Sequence, residues 1–473
     1  MRLTKEGAKA YEHSLDHAVE FFSKAGSMFA NKESFYEGEE SALSLFQKVW
    51  IVDEALAMKL LLWLRDCRGG SGNRSGAREC YHWLANHSPE WLAANIGWLP
   101  LVGRWDDLRS LFGTDAGKYA ADLWAEALKS KDVLAAKWAD RSDSPVRQLL
   151  GMKIGDFRRF LAKLRKDHIV EHKMCTNRWN EVSYENIPSV AMARYTKAFG
   201  KHDEERFENY KESLKKGIAK VHADALFPHD CVRTARHGDK EIADAQFDAL
   251  PNFMEGTNEK IMVICDTSGS MDSVVAGSIR AIDVSQAIAL YCSGKMPKDG
   301  PFYKKFIAFC SESEFKDWEG MKFSQAVNDS DIFDRAVGTT KIHTALNLIL
   351  KVASTFKITE DQMPTALMIV SDMQFHPDPE LGNPRYQNYG VESKGSEIEE
   401  SLKRFEDAGY RKPKVIYWNT SGYAGSPATV KSPNTALVSG FDTGVLKALL
   451  SGEDFTPRAV MLRALEKYDI TKP

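Results

Sequence analysis

At 473 residues the chain is long enough for two or three domains, and 43% hydrophobic with 27% charged residues is an ordinary globular composition. The formal net charge of −3 conceals a segmental bias: residues 131–220 hold 20 basic and 13 acidic residues, while acids outnumber bases on both flanks. No run approaches the ~20 apolar residues of a membrane span, and the start, Met1-Arg2-Leu3-Thr4-Lys5-Glu6 followed by Glu12, Asp16 and Glu20, reads as neither a signal nor a transit peptide.

From about residue 8 to 225 the pattern is helical. Residues 41–64 carry Leu45, Val49, Val52, Leu56, Leu60, Leu61 and Leu64 at spacings of three and four. Turn signals recur at Gly69-Gly70-Ser71-Gly72, Ser88-Pro89, Gly103, Gly113 and Ser144-Pro145. Short helices broken in this way suggest an α-solenoid or irregular helical array, although no sequence period emerges. Nine of the eleven tryptophans precede residue 180, chiefly as helix-packing core, with one or two as base-stacking platforms.

The glycine-rich loop at 69–76 lacks the Lys-Ser/Thr of a P-loop and a strand before it, so it predicts a sharp helix turn rather than an NTPase. Arg65, Arg68, Arg74 and Arg78 around it either grip phosphate or pair with Asp66 and Glu79. Farther on, His168-Ile169-Val170-Glu171-His172 matches H-x-x-E-H, the inverted zinc-peptidase motif, with Glu241 as the conceivable third ligand.

A polar stretch, His229 to Asn258, precedes an alternation of strands near 261–265, 305–310, 366–370, 414–418 and 436–440 with helices near 276–292, 343–356, 394–408 and 443–450. This order predicts a doubly wound, Rossmann-like α/β sheet. The expected division is a helical module at 1–235, a linker at 236–258 and an α/β domain at 259–473. Seven cysteines, at 67, 80, 175, 231, 265, 292 and 310, are scattered without a C-x-x-C pair, which fits a reducing cytoplasm.

The first buried strand, Lys260-Ile261-Met262-Val263-Ile264-Cys265, ends in Asp266-Thr267-Ser268-Gly269-Ser270, with a helix expected from about Val275. Open α/β sheets place ligands at this carboxyl end, and hard oxygen donors suit Mg²⁺. An aspartic protease would need a second such motif to supply the facing carboxylate. A phosphatase nucleophile would have an acid where Ser268 stands. Two later segments complete a pattern: Gly338-Thr339-Thr340-Lys341-Ile342-His343 feeding a helix, and Ala366-Leu367-Met368-Ile369-Val370-Ser371-Asp372 ending a second buried strand in an acid.

Together these resemble the von Willebrand factor A (vWA) domain and its metal ion-dependent adhesion site, over roughly residues 255–473. The resemblance implies a divalent cation such as Mg²⁺ at Asp266, Ser268, Ser270 and Asp372 with Thr340, or Thr339 in its place, and an acidic residue of a protein partner as a further ligand. Residues 376–393, rich in Pro, Asn and Gly, are expected to roof the site.

Leu62-Trp63-Leu64-Arg65-Asp66-Cys67-Arg68-Gly69-Gly70-Ser71-Gly72-Asn73-Arg74 is similar to the RD-x-x-GG-x-G-x-R signature of the helical TROVE module of Ro ribonucleoproteins. It is closer still to an uncharacterised viral, phage and eukaryotic family that joins such a HEAT-like module to a vWA domain. Leu99-Pro100-Leu101-Val102-Gly103-Arg104-Trp105-Asp106-Asp107-Leu108, Tyr184-Glu185-Asn186-Ile187-Pro188-Ser189 and Ala223-Asp224-Ala225-Leu226-Phe227-Pro228-His229 carry the same resemblance.

Kinship to Ro proteins implies a non-catalytic protein that binds structured or misfolded RNA. Its phosphate-binding face would be Lys153, Arg158, Arg159, Lys163, Arg165 and Lys166 on a helix over about 154–167. The alternatives are a protein–protein scaffold switched by the metal site, and the zinc peptidase, which the helical resemblance disfavours.

Overall fold

The computed structural model describes residues 2–28, 40–140, 144–223, 226–256, 259–276, 279–379, 396–422, 425–441, 443–450 and 454–473. The amino-terminal half is helical and the carboxyl-terminal half is built on a mixed sheet of six strands. Helices Ala42–Val52, Glu54–Arg65 and Arg74–His87 pack on one another. Side-chain oxygens start them: Asp53 accepts from the Leu56 amide at 2.9 Å and Asn73 from the Gly76 amide at 2.9 Å. Residues Leu60 to Leu64 are buried on every face, because helices and the far carboxyl-terminal segment surround this one helix.

Strands are numbered in chain order: β1 Arg2–Leu3, β2 Lys9–Ala10, β3 Ile261–Asp266, β4 Val274–Ala276, β5 Ile279–Arg280, β6 Lys305–Phe309, β7 Ser313–Asp317, β8 Ala366–Ser371, β9 Lys414–Asn419 and β10 Thr435–Ser439. The sheet runs β10-β9-β8-β3-β6-β7, parallel except for the β6–β7 pair. Every residue of β3 and β8 is buried, as expected of central parallel strands covered on both faces.

Four sequence expectations change. Strand β7 was not foreseen, because Ser-Glu-Phe-Lys-Asp is the polar composition of an exposed edge strand. The helix after the D-x-S-x-S loop starts at Ala281 rather than 275, since β4 and β5 form a small antiparallel ribbon first. The single helix expected over 394–408 is two short ones, Glu397–Ser401 and Arg404–Asp407. Finally, 236–258 is no plain linker: it contains the helix Lys240–Ala249, whose buried face is Ile242, Ala243, Gln246 and Phe247. One apolar stripe on an otherwise polar ten-residue helix is easily mistaken for a loop.

The chain's first residues belong spatially to its last ones. The β1–β2 ribbon lies beside Phe375, and helix His17–Lys24 packs against β10 with Phe21 and Phe22 fully buried. Ser439 donates to the Phe22 carbonyl at 2.8 Å, and Ser27 donates to the Asn419 carbonyl at 2.6 Å. One apolar core is therefore continuous from Ala18, Phe21 and Trp63 through the sheet to Tyr468. A smaller cluster, with Val182, Tyr184, Phe199, Phe207 and Ile242, holds the segment around helices Ser189–His202 and Glu204–Lys215.

Candidate metal centre

Strands β3 and β8 are parallel neighbours, so their ends place Asp266 and Asp372 together at the carboxyl edge of the sheet. The Asp266 carboxylate accepts from the Ser268 amide at 2.9 Å and from the Ser371 hydroxyl. Asp372 accepts from the Gln374 amide at 3.1 Å and from the Ser270 hydroxyl. The hydroxyl oxygens of Ser268 and Ser270 lie 3.2 Å apart. The third segment packs on the first: Gly269 donates its amide to the Gly338 carbonyl at 3.2 Å, and Val337 donates to the Thr267 carbonyl at 2.9 Å.

Thr339 and Thr340 part company here. The Thr339 hydroxyl sits 3.1 Å from that of Ser311, whereas Thr340 is buried. The Thr340 amide donates to His376 Nδ1 at 3.0 Å, and the His376 amide donates back to the Thr340 carbonyl at 2.8 Å. All five residues named for the metal thus come from segments that the fold brings together. Of the loop expected to roof them, residues 380–393 lie outside the described residues. The amino-terminal segment lies beside residues 374–375: Thr4 donates to the Phe375 carbonyl at 2.6 Å and Lys5 donates its amide to Gln374 Oε1 at 2.9 Å.

The electrostatics are those of two buried acids in one place. Burial foremost, then the charge of Asp372, pushes Asp266 up to about 7, against the pull of the Ser371 and Ser268 hydrogen bonds. Burial raises Asp372 as well, with Glu6 adding to the effect and Lys5 offsetting part of it. Such a pair is relieved by a proton or by a cation. With two hydroxyls beside it, the donor set is all oxygen and suits a hard divalent ion that keeps some of its water.

The zinc reading finds little support. His168 stands in a turn ahead of the helix Val170–Cys175, so it does not share a helical face with His172. Glu171 pairs with Lys137 at 3.2 Å, and Glu241 pairs with Lys215 at 2.7 Å. Among the described residues no three His, Cys, Asp or Glu side chains gather as metal ligands.

On the basic helix Ile154–Arg165, residues Arg158, Arg159 and Lys163 are exposed, as are Lys153 and Lys166 at its ends. Arg165 is a correction. It is buried, donating to the carbonyls of Ala136 at 2.7 Å and Ala139 at 3.0 Å, because the buried face of the helix reaches its last turn. Arg165→Ala is expected to cost about 1.5–3 kcal/mol, whereas Arg159→Ala leaves the unfolding midpoint where it was; thermal melts of both variants check this. Arg159 is 81% exposed and pairs only locally, with Asp156 three residues away.

The arginines of the glycine-rich signature are also differently employed. Arg65 and Arg78 meet the fully buried Asp107 at 2.8 and 2.7 Å, and Arg74 meets Asp106 at 2.6 Å. Their partners in the chain lie in the Trp105-Asp106-Asp107 segment, folded beside them, rather than at Glu79. Asp66 is taken by the carboxyl-terminal segment: Lys467 Nζ donates to it at 2.6 Å and the Tyr468 hydroxyl at 2.8 Å. Gly70 is required by close approach, since a Cβ there would stand 2.2 Å from the Trp63 carbonyl oxygen. Sequence reasoning saw this motif but could not see that it is a joint.

The chain is similar to other proteins at low identity. An uncharacterized protein of Acanthamoeba polyphaga mimivirus is 25% identical over 533 aligned positions, which span 99% of this chain and 88% of that protein. The crystal structure of the Deinococcus radiodurans Ro (RSR) protein aligns over 96% of this chain and all of its own, at 14% identity and a TM-score of 0.47. Residues 260–469 match the family described as "Domain of unknown function (DUF7788)". The family described as "Domain of unknown function (DUF2828)" matches residues 4–123 and 124–264, more than half of the chain, and the protein belongs to that family.

Proposed function

We propose that this protein binds RNA without catalysing a reaction on it, and that its carboxyl-terminal domain is a vWA domain holding Mg²⁺ at Asp266, Ser268, Ser270, Thr340 and Asp372. The RNA reading is carried by the exposed ridge of Lys153, Arg158, Arg159, Lys163 and Lys166 along one short helix. Such a ridge meets phosphates and has no means of reading bases, so structured or defective RNA of varied sequence is its natural target. The paired state of Arg65, Arg74 and Arg78 supports placing phosphate contact on this ridge rather than at the glycine-rich loop. Seven cysteines standing as free thiols are consistent with a reducing cytoplasm, and no helix among the described residues is long and apolar enough to cross a membrane.

The test is binding of a stem-loop RNA with a single-stranded tail across a range of salt. Affinity is expected to fall steeply with salt, and Arg158→Glu with Arg159→Glu to lower it at least on the order of ten-fold and to flatten the salt slope by about two. Absence of binding at low salt would remove RNA from the reading. A scaffold with no RNA role then remains, favoured by the exposed Val274 and Val337 flanking the metal residues. In that case an acidic side chain of a protein partner is the group that the Mg²⁺ takes.

A further inference from the structure

A cavity of about 870 Å³ opens at the amino edge of the sheet, the end away from Asp266 and Asp372. Its walls come from helix Lys240–Ala249, the end of helix Ala281–Lys295, and the residues that enter β6 and leave β7. Phe247, Met254, Met296, Tyr303 and Trp318 form an apolar side. These walls are fixed by close packing. Phe247 stacks on Phe323 with centroids 4.0 Å apart, and the Trp318 indole donates to the Ser293 hydroxyl at 3.1 Å. A Cβ on Gly294 would stand 2.7 Å from the Trp318 ring, so glycine is needed for that approach.

Two lysines are built into this frame. Lys304 has φ of 57°, in the left-handed region that a side chain resists. Its amide donates to the Ser293 carbonyl at 2.9 Å and its carbonyl accepts from Trp318 at 3.1 Å, which holds the backbone there from both sides. Its side chain crosses Trp318 with Nζ 4.4 Å from the ring centroid, and Nζ donates to the Met321 carbonyl at 2.7 Å. Lys295 Nζ lies 5.5 Å from the Phe247 centroid and donates to the Asp248 carbonyl at 3.0 Å. Each ammonium has further hydrogens to give. Burial draws both below the usual lysine value, and the charge of Asp248 offsets only part of this.

The acids of the cavity are placed differently from the lysines. Glu241 pairs with Lys215 at 2.7 Å, and Asp244 accepts the Ser324 amide and hydroxyl at 2.7 and 2.9 Å. Asp248 and Glu255 are exposed. Among the described residues, half-buried Lys295 and Lys304 and exposed Lys298 and Lys322 have no ion-pair partner.

We infer that this cavity binds a phosphate ester, its phosphate held by Lys295 and Lys304 and approached across Lys298 and Lys322. The volume is that of a small-molecule site, and phosphate alone would leave most of it empty. The ester therefore carries an organic body that meets the apolar side. This site shares no residue with the metal centre or the basic ridge.

The experiment uses the full chain and reads the acetylation rate of each lysine by mass spectrometry. The probes are inorganic phosphate, adenosine 5′-monophosphate, adenosine and a tailed stem-loop RNA. Millimolar phosphate and the nucleotide are expected to slow labelling of Lys295 and Lys304, to leave the exposed Lys351 and Lys357 unchanged, and adenosine to do neither. Calorimetry should find the nucleotide bound roughly ten-fold more weakly in Lys295→Gln with Lys304→Gln. Because Lys304 packs on Trp318, the exposed pair Lys298→Gln with Lys322→Gln is a second variant, expected to keep the melting midpoint and also to bind more weakly. Protection by the RNA and not by the nucleotide would assign the phosphate to a nucleic-acid chain, and the reverse to a free small molecule. Unchanged labelling with every probe, or wild-type affinity in both variants, would overturn the proposal.

Discussion

Asp107→Ala is expected to destabilise the helical half by about 3–5 kcal/mol, the cost of breaking a buried ion pair and leaving its partner behind. Asp107 is fully buried and accepts from the Arg65 and Arg78 side chains and from the Arg104 amide at 2.9 Å. Arg65 is itself 3% exposed, so after the substitution its guanidinium has neither water nor a carboxylate. Asp106→Ala is the control. Its carboxylate meets Arg74, Arg104 and Arg78, which are 41%, 35% and 27% exposed, and the loss should be about 1 kcal/mol. Urea unfolding followed by helical circular dichroism separates the two; equal midpoints would refute the ranking.

The second large effect is the response to Mg²⁺ and pH. In chelator, the Asp266 carboxyl is raised to about 7 by burial and by Asp372, so the folded protein holds a proton that the unfolded chain has already released. Stability is therefore greatest below the unfolded value near 4 and is lost as pH rises toward 7. Mg²⁺ requires the deprotonated pair, so its effect has the opposite sign: at pH 8 it raises the midpoint, by about 2.7 kcal/mol at a hundred-fold excess over Kd, and at pH 5 it does little. Asp266→Asn removes the repulsion and the response together. Scanning calorimetry should find it more stable than the wild type in chelator at pH 8 and indifferent to Mg²⁺. A Mg²⁺ response surviving in that variant would refute the assignment.

The meeting of these segments was legible because they sit where periodicity is strongest. Two six-residue apolar runs, each ending at an acid, declare buried parallel strands, and parallel neighbours leave their ends side by side. Thr339 and Thr340 are equivalent on paper and differ in the fold, where Ser311 lies against the Thr339 hydroxyl. Arg165 looked like its basic neighbours because charge shows in a sequence and burial does not. The contact of Thr4 with Phe375 was invisible, since no local pattern links a turn at the start of the chain to a strand end about 370 residues later. The arginines of the glycine-rich motif pair with carboxylates some 30–40 residues on rather than with Asp66 and Glu79, a long-range choice no local pattern reveals.

The docking of helix His17–Lys24 on β10 has a consequence for synthesis. Phe22 and Gly26 make their hydrogen bonds with Ser439, across separations of 417 and 413 residues. At about 5–20 residues per second, a ribosome exposes Phe21 and Phe22 on the order of half a minute before their covering strand exists. Closing so long a loop is slow as well as late. The nascent chain therefore passes through a stage in which this helix rests only on helices Ala42–Val52 and Glu54–Arg65 with its sheet-facing side uncovered, and that stage is where chaperones and aggregation compete for it. Refolding from urea should show the helical half forming first and the amino-terminal helix docking last.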